Sequence, residues 1–150
     1  MARTLFGTDG IRGVAGQPPL DAATVYAFGQ ALGEWVAHHG APRVVIGMDT
    51  RESGPALAEQ LAGGLAAAGA EAHFAGLTTT PGVAYLTRTE DFVAGVMISA
   101  SHNPYQDNGL KAFSHDGFKL PDDEEQKLEN RILAIVAAGV APAGRTLQAD

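Results

Sequence analysis

The chain has no cysteine, a single tryptophan, and only 10 lysines and arginines against 17 aspartates and glutamates. Without cysteine there is no disulfide framework and no thiolate metal site, which suits a reducing compartment. A net charge of −7 argues against non-specific nucleic-acid binding, which needs a basic face. No stretch approaches the eighteen or so apolar residues of a membrane-spanning helix. The opening MARTLFGTDG lacks the apolar run of a secretory signal. Internal repeats and low-complexity tracts are absent, and the five histidines at 38, 39, 73, 102 and 115 show no metal-ligand spacing. These absences leave a cytoplasmic domain as the expectation, with neither nucleic acid nor membrane as partner.

What is present is 150 residues at 45% hydrophobic and 18% charged. That is enough for one globular domain burying roughly two thirds of its unfolded surface. Periodicity supplies the elements. Thr4–Val14 is short and punctuated by glycine, and its Asp-Gly is a hairpin-type turn signal. Val25, Phe28, Leu32 and Trp35/Val36 form one helical stripe, with Asp21 as N-cap, Gly40 as stop, and His38 and His39 at the helix end. RVVIGM is too brief and too β-branched for a helix and reads as a buried strand. Ser53 is placed to cap a helix carrying Leu57, Leu61 and Leu65 and ended by Gly69. EAHFAGL is a weaker strand, with His73 as ordinary strand surface. Thr80-Pro81 reads as an N-cap followed by proline at the first helical position, opening a short helix to about Arg88. FVAGVMI and GLKAFS are further strands. A last helix opens on four carboxylates that its dipole favours. It carries Leu128, Ile132 and Ile135, with an Asp123–Lys127 pair on its surface. The alternation predicts a layered α/β domain: a mostly parallel, mixed central sheet flanked by helices, over residues 1–137. Residues 138–150 read as a linker.

Chemistry concentrates after the apolar run Val96–Ile98. Ser101, His102, Asn103 and Pro104 follow it, then the turn Asp107-Asn108-Gly109, then Lys111. In open α/β sheets ligands bind outside the carboxyl ends of strands. A serine in such a turn keeps its hydroxyl free of the ladder and suits a covalent phosphoryl carrier. A lysine beside it neutralises phosphoryl oxygens or moves protons. The plainer reading is a turn whose Ser and Asn bond nearby backbone. A Ser-His-Asp hydrolase lacks its G-x-S-x-G elbow. FGTDGIRG is a second polar knot, where Arg12 offers a bidentate anion fork or simply pairs with Asp9. GMDTRESG is a third. There the structural reading, with Asp49 and Arg51 bridging and capping a loop, is preferred to a functional one.

Together LFGTDGIRG (5–13), GMDTRESG (47–54), TTPGVAYL (79–86) and ISASHNPYQDNGLKAF (98–113) resemble the α-D-phosphohexomutase superfamily, in its motif order. Within it the wording FGTDGIRG and SASHNP is similar to the branch acting on glucosamine phosphates. The resemblance implies that Ser101 is the catalytic serine, active as phosphoserine, with a phosphoryl oxygen as one Mg²⁺ ligand. Lys111 is then general acid/base or charge stabiliser, Arg12 lies beside the phosphoryl group, His102 and Asn103 shape the loop, and Thr8 and Asp9 belong to the phosphate loop. The implied reaction interconverts glucosamine 6-phosphate and glucosamine 1-phosphate through a hexose 1,6-bisphosphate, on the route to UDP-N-acetylglucosamine and cell wall.

Phosphohexomutases have four domains, and the resemblance covers the first. There is no DGDxDR metal loop, no GExSG-like sugar-selecting loop and no RxSGTEP-like phosphate loop. The other domains of a parent enzyme are therefore expected partners, supplying most of the Mg²⁺ ligands, and this chain alone is expected to be inactive. A homodimer is a further partner the reading leaves open. Two alternatives also stay open: a first domain of the phosphomannomutase/phosphoglucomutase branch, and a phosphate-binding module without catalysis.

Overall fold

A computed structural model describes residues 5–7, 10–101 and 103–145. The elements in chain order are β1 (Ile11–Val14), α1 (Ala22–Ala37), β2 (Arg43–Met48), α2 (Gly54–Ala67), β3 (Glu71–Leu77), α3 (Thr80–Thr89), β4 (Ala94–Ile98), β5 (Asp107–Ser114) and α4 (Asp122–Ala137). The five strands form one sheet in the order β1-β5-β4-β2-β3. β2 pairs in parallel with β3 and β4, while β5 pairs antiparallel with β4 and β1. Four strands thus run one way and β5 alone opposes them, giving the mixed, mostly parallel sheet that the alternating pattern predicts. The weakest strand of the sequence reading, β3, lies at the sheet edge.

The apolar stripes explain the layering. Val25, Phe28, Leu32 and Val36 of α1, Leu57, Leu61 and Leu65 of α2, and Leu128, Ile132 and Ile135 of α4 share one core with Val44, Ile46, Val96 and Ile98 of the sheet. Each such side chain contributes about 1.5–3 kcal/mol on burial. The opposite face is thinner: α3 covers it, with Val83 packed on Val45, Met97 and Phe113. α1 and α2 meet through glycine. A β-carbon on Gly29 would lie 2.2 Å from the Leu61 carbonyl oxygen, and one on Gly64 would lie 2.1 Å from that of Tyr26. Beyond α4 the chain turns back over α2, where the Arg145 amide donates to the Glu59 carbonyl.

Local signals hold at some caps and fail at others. Asp21 caps α1, accepting from the Thr24 amide, and His38 is its C-cap, two residues before Gly40. α3 begins one residue earlier than Thr80-Pro81 suggests. Thr79 is the N-cap, with its hydroxyl accepting from the Gly82 amide, so the proline falls at the second helical position. Ser53 occupies the N-cap of α2 without a capping bond, because its hydroxyl instead accepts from Asn108 Nδ2 at 2.8 Å. Lys127 pairs with Glu124 at 3.6 Å rather than with Asp123. The acidic first turn of α4 is also more than a dipole complement. Glu125 is buried and paired with Lys119 at 2.9 Å. One turn on, buried Glu129 accepts from the Leu5 and Phe6 amides at 2.6 and 3.0 Å.

That carboxylate ties the amino-terminal segment to α4. Gly7 and Gly10 then make a single bridge before β1 joins β5, so the segment is an added edge strand rather than a free hairpin. No helix among the described residues is long and apolar enough to cross a membrane.

Candidate functional site: the carboxyl end of the sheet

Strand register brings the cations together. Lys111 lies opposite Met97, and Arg12 lies opposite Gly109. Alternation then sets Arg12, Gly109, Lys111 and Met97 on one face of the sheet, the face that α3 covers. Gly109 is required for this arrangement. A β-carbon there would stand 2.7 Å from the Ser99 carbonyl oxygen, 2.9 Å from that of Ile11 and 3.0 Å from Arg12 Cγ. Gly10 serves the same approach from the other strand, at φ +86°, where a β-carbon would meet the Leu110 carbonyl at 2.2 Å.

Neither cation has an acidic partner among the described residues. Arg12 Nε is buried and has no hydrogen-bond partner. Lys111 has no acidic partner among the described residues, and its ammonium lies 5.8 Å from the centre of the Phe113 ring. Both line a cavity of about 380 Å³, together with Thr80, Met97, Ser99, Ser101 and Asn103. A donor that is desolvated and unpaired is costly, and Arg12 Nε is such a donor.

Ser101 is exposed at the mouth of this cavity with φ +55°, a conformation that costs a residue with a β-carbon about 1–2 kcal/mol. Its amide donates to Ser99 Oγ at 3.1 Å, and Ser99 Oγ donates to Asp49 Oδ2 at 2.8 Å. Its carbonyl accepts from Arg51 Nη2 at 2.8 Å. The same guanidinium reaches the carbonyls of Asn103, Pro104 and Asp107. Arg51 also pairs with Asp49 at 3.2 Å, and its amide donates to the Asp49 carboxylate. The Asn103 side chain donates to Asp107 at 3.3 Å. Buried Asn108 bridges to Ser53 through Nδ2 and accepts from the Gly109 amide through Oδ1.

The sequence-expected residues Ser101, Lys111, Arg12 and Asn103 therefore converge on one cavity. Thr8, Asp9 and His102 lie outside the described residues. Asp49 and Arg51 do bridge and cap their loop, as the preferred reading of GMDTRESG has it. That reading missed the grip of Arg51 on the serine loop, and it missed Ser99 altogether. Their signal was faint, since a carbonyl acceptor leaves no mark in sequence. The described residues include no group of three or more His, Asp or Glu side chains able to hold a metal. Asp49, the carboxylate beside the serine loop, is already engaged by Arg51 and Ser99. The described residues thus do not form a cation site by themselves.

Residues 3–138 match the family model "Phosphoglucomutase/phosphomannomutase, alpha/beta/alpha domain I". A phosphoglucosamine mutase of Solibacter usitatus is 68% identical over 143 residues, 95% of this chain and 32% of the relative. Its counterpart in Koribacter versatilis is 56% identical over 131 residues, 87% of this chain and 28% of the relative. The crystal structure of a phosphoglucomutase/phosphomannomutase family protein from Burkholderia thailandensis superposes with a TM-score of 0.79 at 31% identity, covering 97% of this chain and 32% of that one. The chain spans about a third of the length of the curated relatives it matches. It belongs to the phosphoglucomutase/phosphomannomutase family and carries that family's α/β/α domain I.

Proposed function

We propose that this domain supplies the phosphoryl-carrying serine of a phosphoglucosamine mutase, with Ser101 as the carrier. The observation that carries the reading is that two cations, Arg12 and Lys111, line one cavity with Ser101, the first with an unpartnered Nε and the second with no acidic partner among the described residues. A phosphoserine brings about −1.5 to −2 charges at neutral pH, which two cations offset. Phosphoryl transfer asks mainly for positioning and charge neutralisation. The 68% and 56% identities to proteins named phosphoglucosamine mutase favour glucosamine phosphate as substrate.

In the proposed cycle a sugar hydroxyl of glucosamine 6-phosphate attacks phosphoserine 101. The P–Oγ bond breaks as the sugar P–O bond forms, and the hydroxyl proton ends on Ser101 Oγ with Lys111 as relay. The bisphosphate turns over in the site. Ser101 Oγ then attacks the 6-phosphoryl group: the new P–Oγ bond forms as the P–O6 bond breaks, the Ser101 proton passes to O6 with Lys111 as relay, and glucosamine 1-phosphate leaves a serine that is phosphorylated again. Arg12 holds the non-bridging oxygens throughout, Asn103 lines the same cavity, and the family resemblance assigns His102, Thr8 and Asp9 to the serine and phosphate loops. Mg²⁺, when bound, adds Lewis-acid neutralisation. A firm site for it needs several oxygen ligands, which the described residues do not gather, so most of them are assigned to other domains of a longer enzyme.

The test uses the longer protein that contains this domain. Ser101→Ala is expected to remove nearly all turnover of glucosamine 6-phosphate and all phosphoryl incorporation from hexose 1,6-bisphosphate, followed by intact mass. Near-normal turnover would reject Ser101 as carrier. The 150-residue chain alone is expected to show little or no turnover, and measurable mutase activity would contradict the need for further domains.

A further inference from the structure

We infer that Asp49, Arg51 and Ser99 form a positioning device that sets the backbone of Ser101, and that Arg51, although cationic and next to the site, is not a phosphate ligand. The inference rests on the proposed role of Ser101 for its catalytic consequence, but its geometry stands apart from that role.

The first argument is a donor count. A guanidinium has five N–H groups in a fixed fork. In Arg51 every one has an acceptor. Nε meets Asp49 Oδ2, Nη1 meets the carbonyls of Pro104 and Asp107, and Nη2 meets those of Ser101 and Asn103, over 2.7–3.2 Å. Nothing is left for an anion without breaking the loop. Arg12 is the reverse case, since its Nε is buried with no acceptor. Two arginines near one serine are thus distinguishable by what their nitrogens already hold.

The second argument is that both ends of the strained residue are held from one point. Ser101 sits at φ +55°, where neither its hydroxyl nor packing of its exposed side chain supplies a restraint. Its N–H is fixed by Ser99 Oγ and its C=O by Arg51 Nη2. Ser99 and Arg51 are in turn both bound to the same atom, Asp49 Oδ2. One carboxylate oxygen therefore joins the two restraints and fixes the direction in which the Ser101 side chain leaves the backbone. Lysine at 51 keeps the charge but carries its three donors on one nitrogen, so it cannot reach four carbonyls and a carboxylate together.

Amide hydrogen exchange on the 150-residue chain tests the device without reference to activity. Arg51→Lys is expected to speed exchange at the Ser101 amide and across 103–109 by about tenfold or more, while β2 and β4 amides keep wild-type protection. Ser99→Ala is expected to do the same at the Ser101 amide, and Ser99→Thr, which keeps the hydroxyl, to restore protection. In the longer protein Arg51→Lys should lower kcat about tenfold or more with KM little changed, because substrate contacts are left intact. Wild-type exchange in both Arg51→Lys and Ser99→Ala would overturn the device. A rise in KM with kcat unchanged would make Arg51 a substrate ligand and overturn it equally. If wild-type protein takes no phosphoryl group at Ser101 while loop exchange still depends on Arg51, the carrier reading falls and the device stands.

Discussion

The α1–α2 seam and the loops at the carboxyl end of the sheet both rest on backbone approaching backbone, yet they are held in opposite ways. At the seam the side chains have been removed. Gly29 and Gly64 let two helices touch main chain to main chain, and the restraint is the apolar stripe around them. At the loops the side chains are the restraint. Asp49, Arg51, Ser53, Ser99 and Asn108 hold carbonyls and amides that no ladder pairs. A seam of the first kind is stiff everywhere and indifferent to direction. A clasp of the second kind fixes individual atoms, which a reacting hydroxyl requires.

Three substitutions sharpen that contrast. The largest effect is expected at the seam. In Gly64→Ala the new methyl falls 2.1 Å from the Tyr26 carbonyl oxygen, where only helix separation relieves it. The expected loss is about 3 kcal/mol or more, read as a shift of the urea midpoint. An effect below about 1 kcal/mol would show that the helices part easily. Asn108→Ala is expected to cost less, about 1–3 kcal/mol, because it strands the Gly109 amide and Ser53 while leaving the core intact. Its signature is loss of protection confined to the loops, and a uniform loss would erase the distinction between the two regions.

The smallest effect belongs to neither region. Glu34 and Arg131 join α1 to α4 on the surface, and the hydrogen bond from Arg131 holds the Glu34 carboxyl below its ordinary value of 4.5. A depressed carboxyl contributes stability that is present above its unfolded pKa and lost as pH falls through the folded one. Both side chains are more than a third exposed, so the contribution is a few tenths of a kcal/mol. Stability curves of wild type and Glu34→Gln should differ slightly at neutral pH and merge in acid, and a gap that widens in acid would reverse the assignment.

The helices were legible because their stripes repeat within a turn or two: Val25, Phe28 and Leu32 announce α1 unaided. β1 was only half legible. FGTDGIRG shows a turn, but its pairing with β5 is settled nearly a hundred residues later, by Gly109 making room for Arg12. Ser53 illustrates how a local rule fails. Its type and place suit a cap, yet Asn108, distant in sequence, claims the hydroxyl. At the site the charged and nucleophilic residues stood out by type. Arg51 looked like a loop brace because its carbonyl acceptors are common to every residue and leave no trace in composition.

The buried carboxylate of Glu129 has a consequence for biosynthesis. It holds the amides of Leu5 and Phe6 across 124 and 123 positions of sequence, so the Leu5–Phe6 segment lacks this seat until α4 has been translated. Chains stalled before residue 129 should keep their amino terminus open to protease, whereas those stalled well after it should not. Arg12 rides on that segment. Its own place is set by pairing with β5, Arg12 opposite Gly109, so the cleft beside Ser101 lacks that cation until β5 has emerged.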